Sequence, residues 1–264
     1  MIKLIASDID GTMVSHDRPD LNPEYFELIR ALRKKGILFC AATGRQVYSL
    51  RHLFAPVRDD ILYIAENGSV VIKDGEQLFC KAMSKEDSEE LVRDTRKMPG
   101  CMCMYDTREM AYFEKGDEEF YDLMRGQYGF RCQLVDDLTQ LKEPTIKYVV
   151  YRASDVEAVT EEWFNPKWRK RAQVACGGPF FMDVYGMNVN KGSALAELQS
   201  ILGIKKEETI AIGDNINDLE LLSQASYSIA IGNARDEVRQ AARYIAPTRD
   251  QDGVLQVMKH LLSL

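Results

Sequence analysis

Short, unbroken apolar runs alternate with amphipathic helical segments through the first quarter of the chain. "IKLIAS" precedes "LNPEYFELIRALRKKG". "ILFCAA" precedes a helix expected from about Arg45 to Phe54, and "ILYIA" follows. A strand that is apolar at every position is covered on both faces, and helices between such strands mean a parallel sheet with helices on each side. The first helix is punctuated at both ends. Asn22 suits the N-cap, Pro23 the first helical position and Gly36 the stop. Leu21 and Phe26 sit where a hydrophobic staple would. Phe26, Ile29 and Leu32 recur at helical spacing and are expected to face the sheet.

The pattern changes after Glu66. "SVVIKDGEQLFC" reads as a hairpin turning at Asp74-Gly75. Ser84 is placed to cap a helix running to about Met98. From Cys101 to Tyr185 the strands "CMCMY", "MAYF", "TIKYVVY", "RAQVAC" and "FFMDVY" look antiparallel, with helices near Glu118 to Tyr128 and Asp155 to Phe164. At Lys191 the α/β alternation resumes with "KGSALAELQSILGI", "TIAIGD", "NDLELLSQA", "YSIAIGN", "ARDEVRQAA" and "YIA". The expected organisation is a split α/β core, residues 1–83 and 188–264, with an α+β unit inserted at 84–187.

In open parallel sheets ligands bind outside the carboxyl ends of the strands. Polar residues crowd those ends here. Asp8 and Asp10 follow the first run. Thr43, Gly44 and Arg45 follow the second. Asp214 and Asn215 follow "TIAIG", with Asn217 and Asp218 just beyond, and Lys191 opens a helix of the same half. Converging carboxylates repel one another unless a cation joins them. A hard divalent ion with oxygen ligands, most simply Mg²⁺, satisfies that need. Carboxylates, a metal, an ammonium, a hydroxyl and an exposed backbone loop together suit a phosphoryl group. One acid of the Asp8/Asp10 pair is suited to attack phosphorus and the other to carry protons; local spacing does not say which.

These segments resemble the motifs of the haloacid dehalogenase-like phosphatases. "DIDGT" is similar to their DxDGT signature, "AATGR" to the second motif, "NKGSAL" to the third and "GDNINDLEL" to GDxxND, in that order. The long insertion resembles the α/β cap of the Cof-type subfamily, as do "ENGSVV" and "IGNA". The resemblance implies a Rossmann-like core with an inserted cap. It implies Asp8 as nucleophile and Mg²⁺ ligand, and Asp10 as general acid/base that binds Mg²⁺ through its backbone carbonyl. It further implies Thr43 and Lys191 on the phosphoryl oxygens, with the Ile9 and Gly44 backbones nearby, and Asp214 completing the Mg²⁺ ligands. Asp218 would orient the site from behind, and Asn217 would lie close to the phosphate. The expected activity is hydrolysis of a small phosphomonoester, a sugar phosphate or similar metabolite. The cap would close over the core and select the leaving group, with Arg45 and the Glu66–Gly68 loop contributing. A phosphomutase sharing the same aspartyl-phosphate and a non-catalytic phospholigand sensor are the rivals. The complete acid set disfavours the sensor.

Composition excludes other classes. The formal net charge is −7 and the pI about 5.2, against a nucleic-acid surface. No apolar run reaches membrane-spanning length. "MIKLIASDID" meets acids too early for a signal peptide, so a cytoplasmic protein is expected. No segment chooses between monomer and homodimer. A calcium loop starting at Asp8 would need glycine at Met13 and an acid at Pro19. "CMCM" lacks partners for a soft-metal site and reads as alternating strand residues. His16, His52 and His260 are too scattered to bind metal. Met98, Met102, Met104 and Met110 read as cap core, and "WFNPKWRKRAQ" as a solvated face.

Overall fold

The computed structural model describes residues 1–15, 17, 19–176 and 179–263, apart from the side chains of Ala175 and Cys176; His16 lies outside the described residues. The chain forms two compact units, residues 1–79 with 190–264, and residues 80–189. In chain order the elements are β1 Leu4–Ser7, α1 Glu24–Lys34, β2 Leu38–Ala42, α2 Val47–Leu53, β3 Leu62–Ala65, β4 Val70–Lys73 and β5 Glu76–Cys80. The second unit holds α3 Lys85–Thr95, β6 Met102–Asp106, β7 Ala111–Glu114, α4 Glu118–Gly126, β8 Cys132–Val135, β9 Lys147–Tyr151, α5 Val156–Val159, α6 Asn165–Trp168, β10 Ala172–Cys176 and β11 Phe181–Gly186. The first unit resumes with α7 Lys191–Leu202, β12 Thr209–Gly213, α8 Leu219–Ser223, β13 Tyr227–Ile231, α9 Asp236–Ala241, β14 Tyr244–Ala246 and α10 Gly253–Ser263.

The first unit is built on one sheet of order β14-β13-β12-β1-β2-β3-β4-β5. It is parallel from β14 to β3, and β4 turns back antiparallel. The continuous apolar runs are explained by cover on both sides. Leu4 and Ala6 of β1 pack with Ala194, Leu195 and Leu198 of α7 and Leu221 of α8. Side chains of the opposite face, such as Phe39 and Tyr63, pack around Phe54 beyond α2 with tilted and edge-on rings. Each fully buried aliphatic or aromatic side chain here contributes about 1.5–3 kcal/mol. The chain walls a rigid edge in this way. β1 lies between β12 and β2, with Ser7 level with Ile212 on one side and Ala41 on the other. The residues that follow these three strands therefore emerge side by side.

Helix α1 starts one residue later than the sequence implies, with Pro23 rather than Asn22 at the N-cap position. The Asn22 side chain accepts from the Glu24 N–H at 3.1 Å, and Gly36 takes a φ of +78° just past the helix end. Asp74 and Gly75 adopt positive φ at the β4–β5 turn, as a type I′ hairpin needs. The last helix, α10, was not expected from the sequence. It buries Val254, Leu255 and Met258, whose spacing is helical, and packs on α1.

The second unit carries a sheet of order β10-β11-β9-β6-β7-β8. Its strands are antiparallel except at one end, where β8 runs parallel to β7. The five strands expected from the sequence, β6, β7, β9, β10 and β11, pair antiparallel as read, and β8 is a strand that reading did not include. β8 is an edge strand with no fully buried residue, so its apolar signal is weak, and α4 forms the crossover that parallel pairing requires. Ser84 caps α3 by accepting from the Asp87 N–H. The expected helix from Asp155 is a broken one: α5, a π turn over Thr160–Phe164, then α6. Met98 and Cys103 are buried in one core of this unit and Met104 in another, with Met102 packed against the latter.

The run "WFNPKWRKRAQ" is tied down rather than free. Trp168 is fully buried and donates its indole N–H to Asp94 at 2.9 Å. Lys167 pairs with Glu90 and Asp94, and Arg171 with Asp87 and Glu90 while covering the Trp168 ring. Hydrogen bonds from Arg171 and Lys167 hold the Glu90 carboxyl down at about 2. A depressed acid stabilises the fold above its ordinary value near 4.5 and stops doing so as pH falls towards about 2. Because Glu90 is open to solvent, the effect is small and salt-screened. In a Trp163→Phe variant, Trp168 emission is expected to report loosening of this cluster within that window, earlier at high salt. An unchanged spectrum down to pH 2 is the contrary outcome.

Candidate active site

Asp8 follows β1 and is held there by its backbone, whose N–H donates to the Ile212 carbonyl at 2.9 Å. The chain then folds tightly on itself, with the N–H groups of Met13 and Val14 donating to the Ile9 carbonyl. Gly11 makes that turn possible. Its φ is +91°, and a side chain there would strike the Asp214 carboxylate. From across the sheet, Asn233 donates to the Gly11 carbonyl at 2.9 Å and Thr12 donates to Asp214 Oδ1 at 2.7 Å. The sequence reading gave neither Thr12 nor Asn233 a role, although both lie in motifs it quoted, "DIDGT" and "IGNA".

Lys191 is the first residue of α7, whose Asn190 N-cap forms a capping box with Ser193. Its side chain is only 2% exposed, and Nζ donates to Asp8 Oδ1 at 2.6 Å and to Asp218 Oδ1 at 2.7 Å. Asp218 is fully buried, and its second oxygen accepts from the backbone N–H groups of Asp214 and Asn215 at 3.1 Å each. It thus braces both Lys191 and the turn that presents Asp214. Asn217 is half-buried on the same turn.

Carboxylate oxygens of Asp8, Asp214 and Asp218 lie within 4.8 Å of one another. One buried ammonium faces three acids. Burial, reinforced by Asp218 and opposed by Lys191, pushes the Asp8 carboxyl well above its usual range. Burial also raises Asp214, with Asp218 adding to it. Burial alone would lower Lys191, but Asp218 and Asp8 more than reverse that and hold it charged. Asp8 Oδ2 is buried without a hydrogen-bond partner. An unpartnered buried carboxylate oxygen in an all-oxygen acid cluster is the environment a hard divalent cation fits.

Asp10 is set apart from this cluster. Its side chain is 52% exposed and chelated by Arg45, with Nη2 on Oδ1 at 2.6 Å and Nε on Oδ2 at 2.9 Å. Thr43 donates to the same carboxylate at 3.3 Å and accepts from the Arg45 N–H at 3.2 Å. Asp8, Asp214, Asp218 and Lys191 are brought together, and Asp10, Thr43 and Arg45 form a second, more exposed group beside them on the Asp8 loop and the end of β2.

Replacing Lys191 by Met would leave Asp8 and Asp218 buried without their cation. Breaking one side of such a group costs about 3–5 kcal/mol. Urea unfolding of metal-free Lys191→Met at neutral pH should show a loss of that size, part of which a second change, Asp218→Asn, restores. Equal stability in the single variant and the wild type would contradict this account of the site.

Residues 5–258 match the haloacid dehalogenase-like hydrolase family. The phosphatase YbjI of Escherichia coli strain K12, named for 5-amino-6-(5-phospho-D-ribitylamino)uracil, is 28% identical over 269 residues, covering 99% of this chain and 96% of that protein. YcsE of Bacillus subtilis strain 168, which bears the same enzyme name, is 26% identical over 259 residues, covering 98% and 95%. A crystal structure from Eubacterium rectale superposes with a TM-score of 0.91 at 36% identity, covering 98% of this chain and 99% of that one. No helix among the described residues is long and apolar enough to cross a membrane. The chain belongs to the haloacid dehalogenase-like hydrolases and is a Cof-type phosphatase, an enzyme that hydrolyses phosphoric monoesters.

Proposed function

We propose that this enzyme removes phosphate from a small phosphorylated metabolite, a sugar phosphate or a near relative, in two steps through an aspartyl-phosphate on Asp8, with Mg²⁺ in the acid cluster. The observation that carries the reading is the state of Asp8. It stands at the end of the central strand with one oxygen on Lys191 and the other buried without a partner. That environment keeps a carboxylate aimed and poorly solvated, which favours attack.

Asp8, Asp214 and the Asp10 backbone carbonyl are the ligands we assign to Mg²⁺. The ion would supply positive charge to the phosphoryl oxygens as they gather negative charge. In the first step an Asp8 oxygen bonds to phosphorus, the bond from phosphorus to the ester oxygen breaks, and Asp10 gives its proton to the departing alkoxide. In the second, Asp10 takes a proton from water as that water attacks phosphorus, which frees phosphate and restores Asp8. Thr43, Lys191 and the Ile9 and Gly44 backbones hold the phosphoryl oxygens. Asn217 lies near them. Arg45 orients Asp10 and is available to the phosphate. Asp218 keeps Lys191 in place.

Residues 84–187 are assigned the choice of leaving group. The ester carried by the substrate named for two relatives belongs to a sugar-alcohol chain, which supports the sugar-phosphate class. A cytoplasmic setting accords with Cys40, Cys80, Cys101, Cys103 and Cys132 standing as thiols. Asp8→Asn, assayed on an aryl phosphate with Mg²⁺, should lose about a thousandfold or more in kcat. EDTA should abolish wild-type release of phosphate, and Mg²⁺ should restore it. Wild-type-like turnover by the variant would sink the assignment. A panel of sugar and sugar-alcohol phosphates ranked by kcat/KM then identifies the substrate.

A further inference from the structure

The turn after β3 carries the densest backbone strain among the described residues. Glu66, Asn67 and Gly68 have φ of +50°, +52° and +104° in succession. Elsewhere the non-glycine residues with positive φ are Asp74, beside Gly75 at the hairpin turn, Asp155, Asn188 and Asp252, all Asn or Asp, the types that tolerate it. Glu66 has no such excuse, and a left-handed residue of its kind costs about 1–2 kcal/mol. Strain of this sort persists only where its surroundings hold it, and it gathers at functional sites.

What holds it lies on two sides. On one side the Glu66 N–H donates to the Arg45 carbonyl at 3.1 Å and the Asn67 N–H to the Thr43 carbonyl at 3.0 Å. The buried Asn67 carboxamide lies over Gly44, where a Cβ would come within 3.1 Å of its oxygen and nitrogen. On the other side Gly68 meets the Asn190 carbonyl so closely that no side chain fits between them, and Asn190 caps the helix that begins with Lys191. The strained turn is therefore wedged between the Thr43–Arg45 loop and the start of α7.

We propose that Glu66–Gly68 is a positioning element that sets the gap between Thr43 and Lys191, with the Asn67 carboxamide as the wedge that fixes the Gly44 backbone. This rests on the phosphatase reading above and revises the expectation that the loop reads the leaving group. Asn67 acts through Gly44 and Thr43 without touching substrate. A phosphoryl group on its way to five-coordinate phosphorus needs its donors at set positions, and a displacement of about 1 Å can cost about a hundredfold in rate. Ground-state phosphate, which tolerates looser contacts, is less demanding.

The test is Asn67→Gly, because glycine keeps the left-handed backbone and both backbone hydrogen bonds while removing the wedge. Three quantities are read in Mg²⁺ buffer: melting temperature, affinity for inorganic phosphate, and affinity for orthovanadate as a five-coordinate mimic. The expected result is at least about a tenfold loss of vanadate affinity and of kcat on an aryl phosphate. Phosphate affinity should change less than about twofold, and melting should stay within a few degrees. Asn67→Ser, which keeps a shorter polar side chain against Gly44, should fall between. Unchanged vanadate affinity and kcat would overturn the proposal. So would equal loss of both affinities with lowered melting, which would make the residue structural only. The binding measurements decide the matter even without aryl phosphate turnover, whose absence would count against the phosphatase reading alone.

Discussion

Buried negative charge at the carboxyl edge of the sheet is the constraint around which the first unit is arranged. Asp8, Asp214 and Asp218 crowd one small space with a single buried ammonium among them. In a low-dielectric interior such a group is stable only with tight geometry and every remaining lone pair engaged. Lys191, the backbone N–H groups at Asp214 and Asn215, and Thr12 meet most of that demand. What they leave over is the bare Asp8 oxygen, the atom to which we assign the attack on phosphorus.

The rest of the core serves to hold those charges still. Parallel strands packed closely against helices on both faces cannot slide without breaking that packing. The turns beyond them are pinned from more than one direction: the Asp8 loop by Ile212 and Asn233, the Thr43 loop by Asn67 and Glu66, the Lys191 helix by its capping box. Strain at Glu66 and the close approaches at Gly11 and Gly68 mark places where the packing around the site is tight. The second unit is held differently. Its helices α3 and α6 are joined through Trp168 and surface ion pairs, which salt and acid weaken more readily than buried contacts.

Much of this is legible in particular residues. The runs before Asp8, Thr43 and Asp214 are apolar at nearly every position, so the parallel sheet and its ligand edge follow from pattern alone. The order of "DIDGT", "AATGR", "NKGSAL" and "GDNINDLEL" carries the family. Less legible is β8, half-buried at a sheet edge, where packing contributes too little for the pattern to be strong. The roles of Thr12 and Asn233 were also hidden, because each acts on a residue more than two hundred positions away.

The sequence by itself determined which chemical groups end the strands and in what order, because strand burial and helix punctuation are local properties of the chain. Only the tertiary structure decided how those groups divide. Asp218 joins Asp8 and Asp214 in one cluster, while Asp10, two residues from Asp8, turns outward onto Arg45. That division depends on the register that sets Ser7 level with Ile212 and Ala41, and on Gly11 letting Asp214 come close. Those are contacts between distant segments, and no local pattern encodes them.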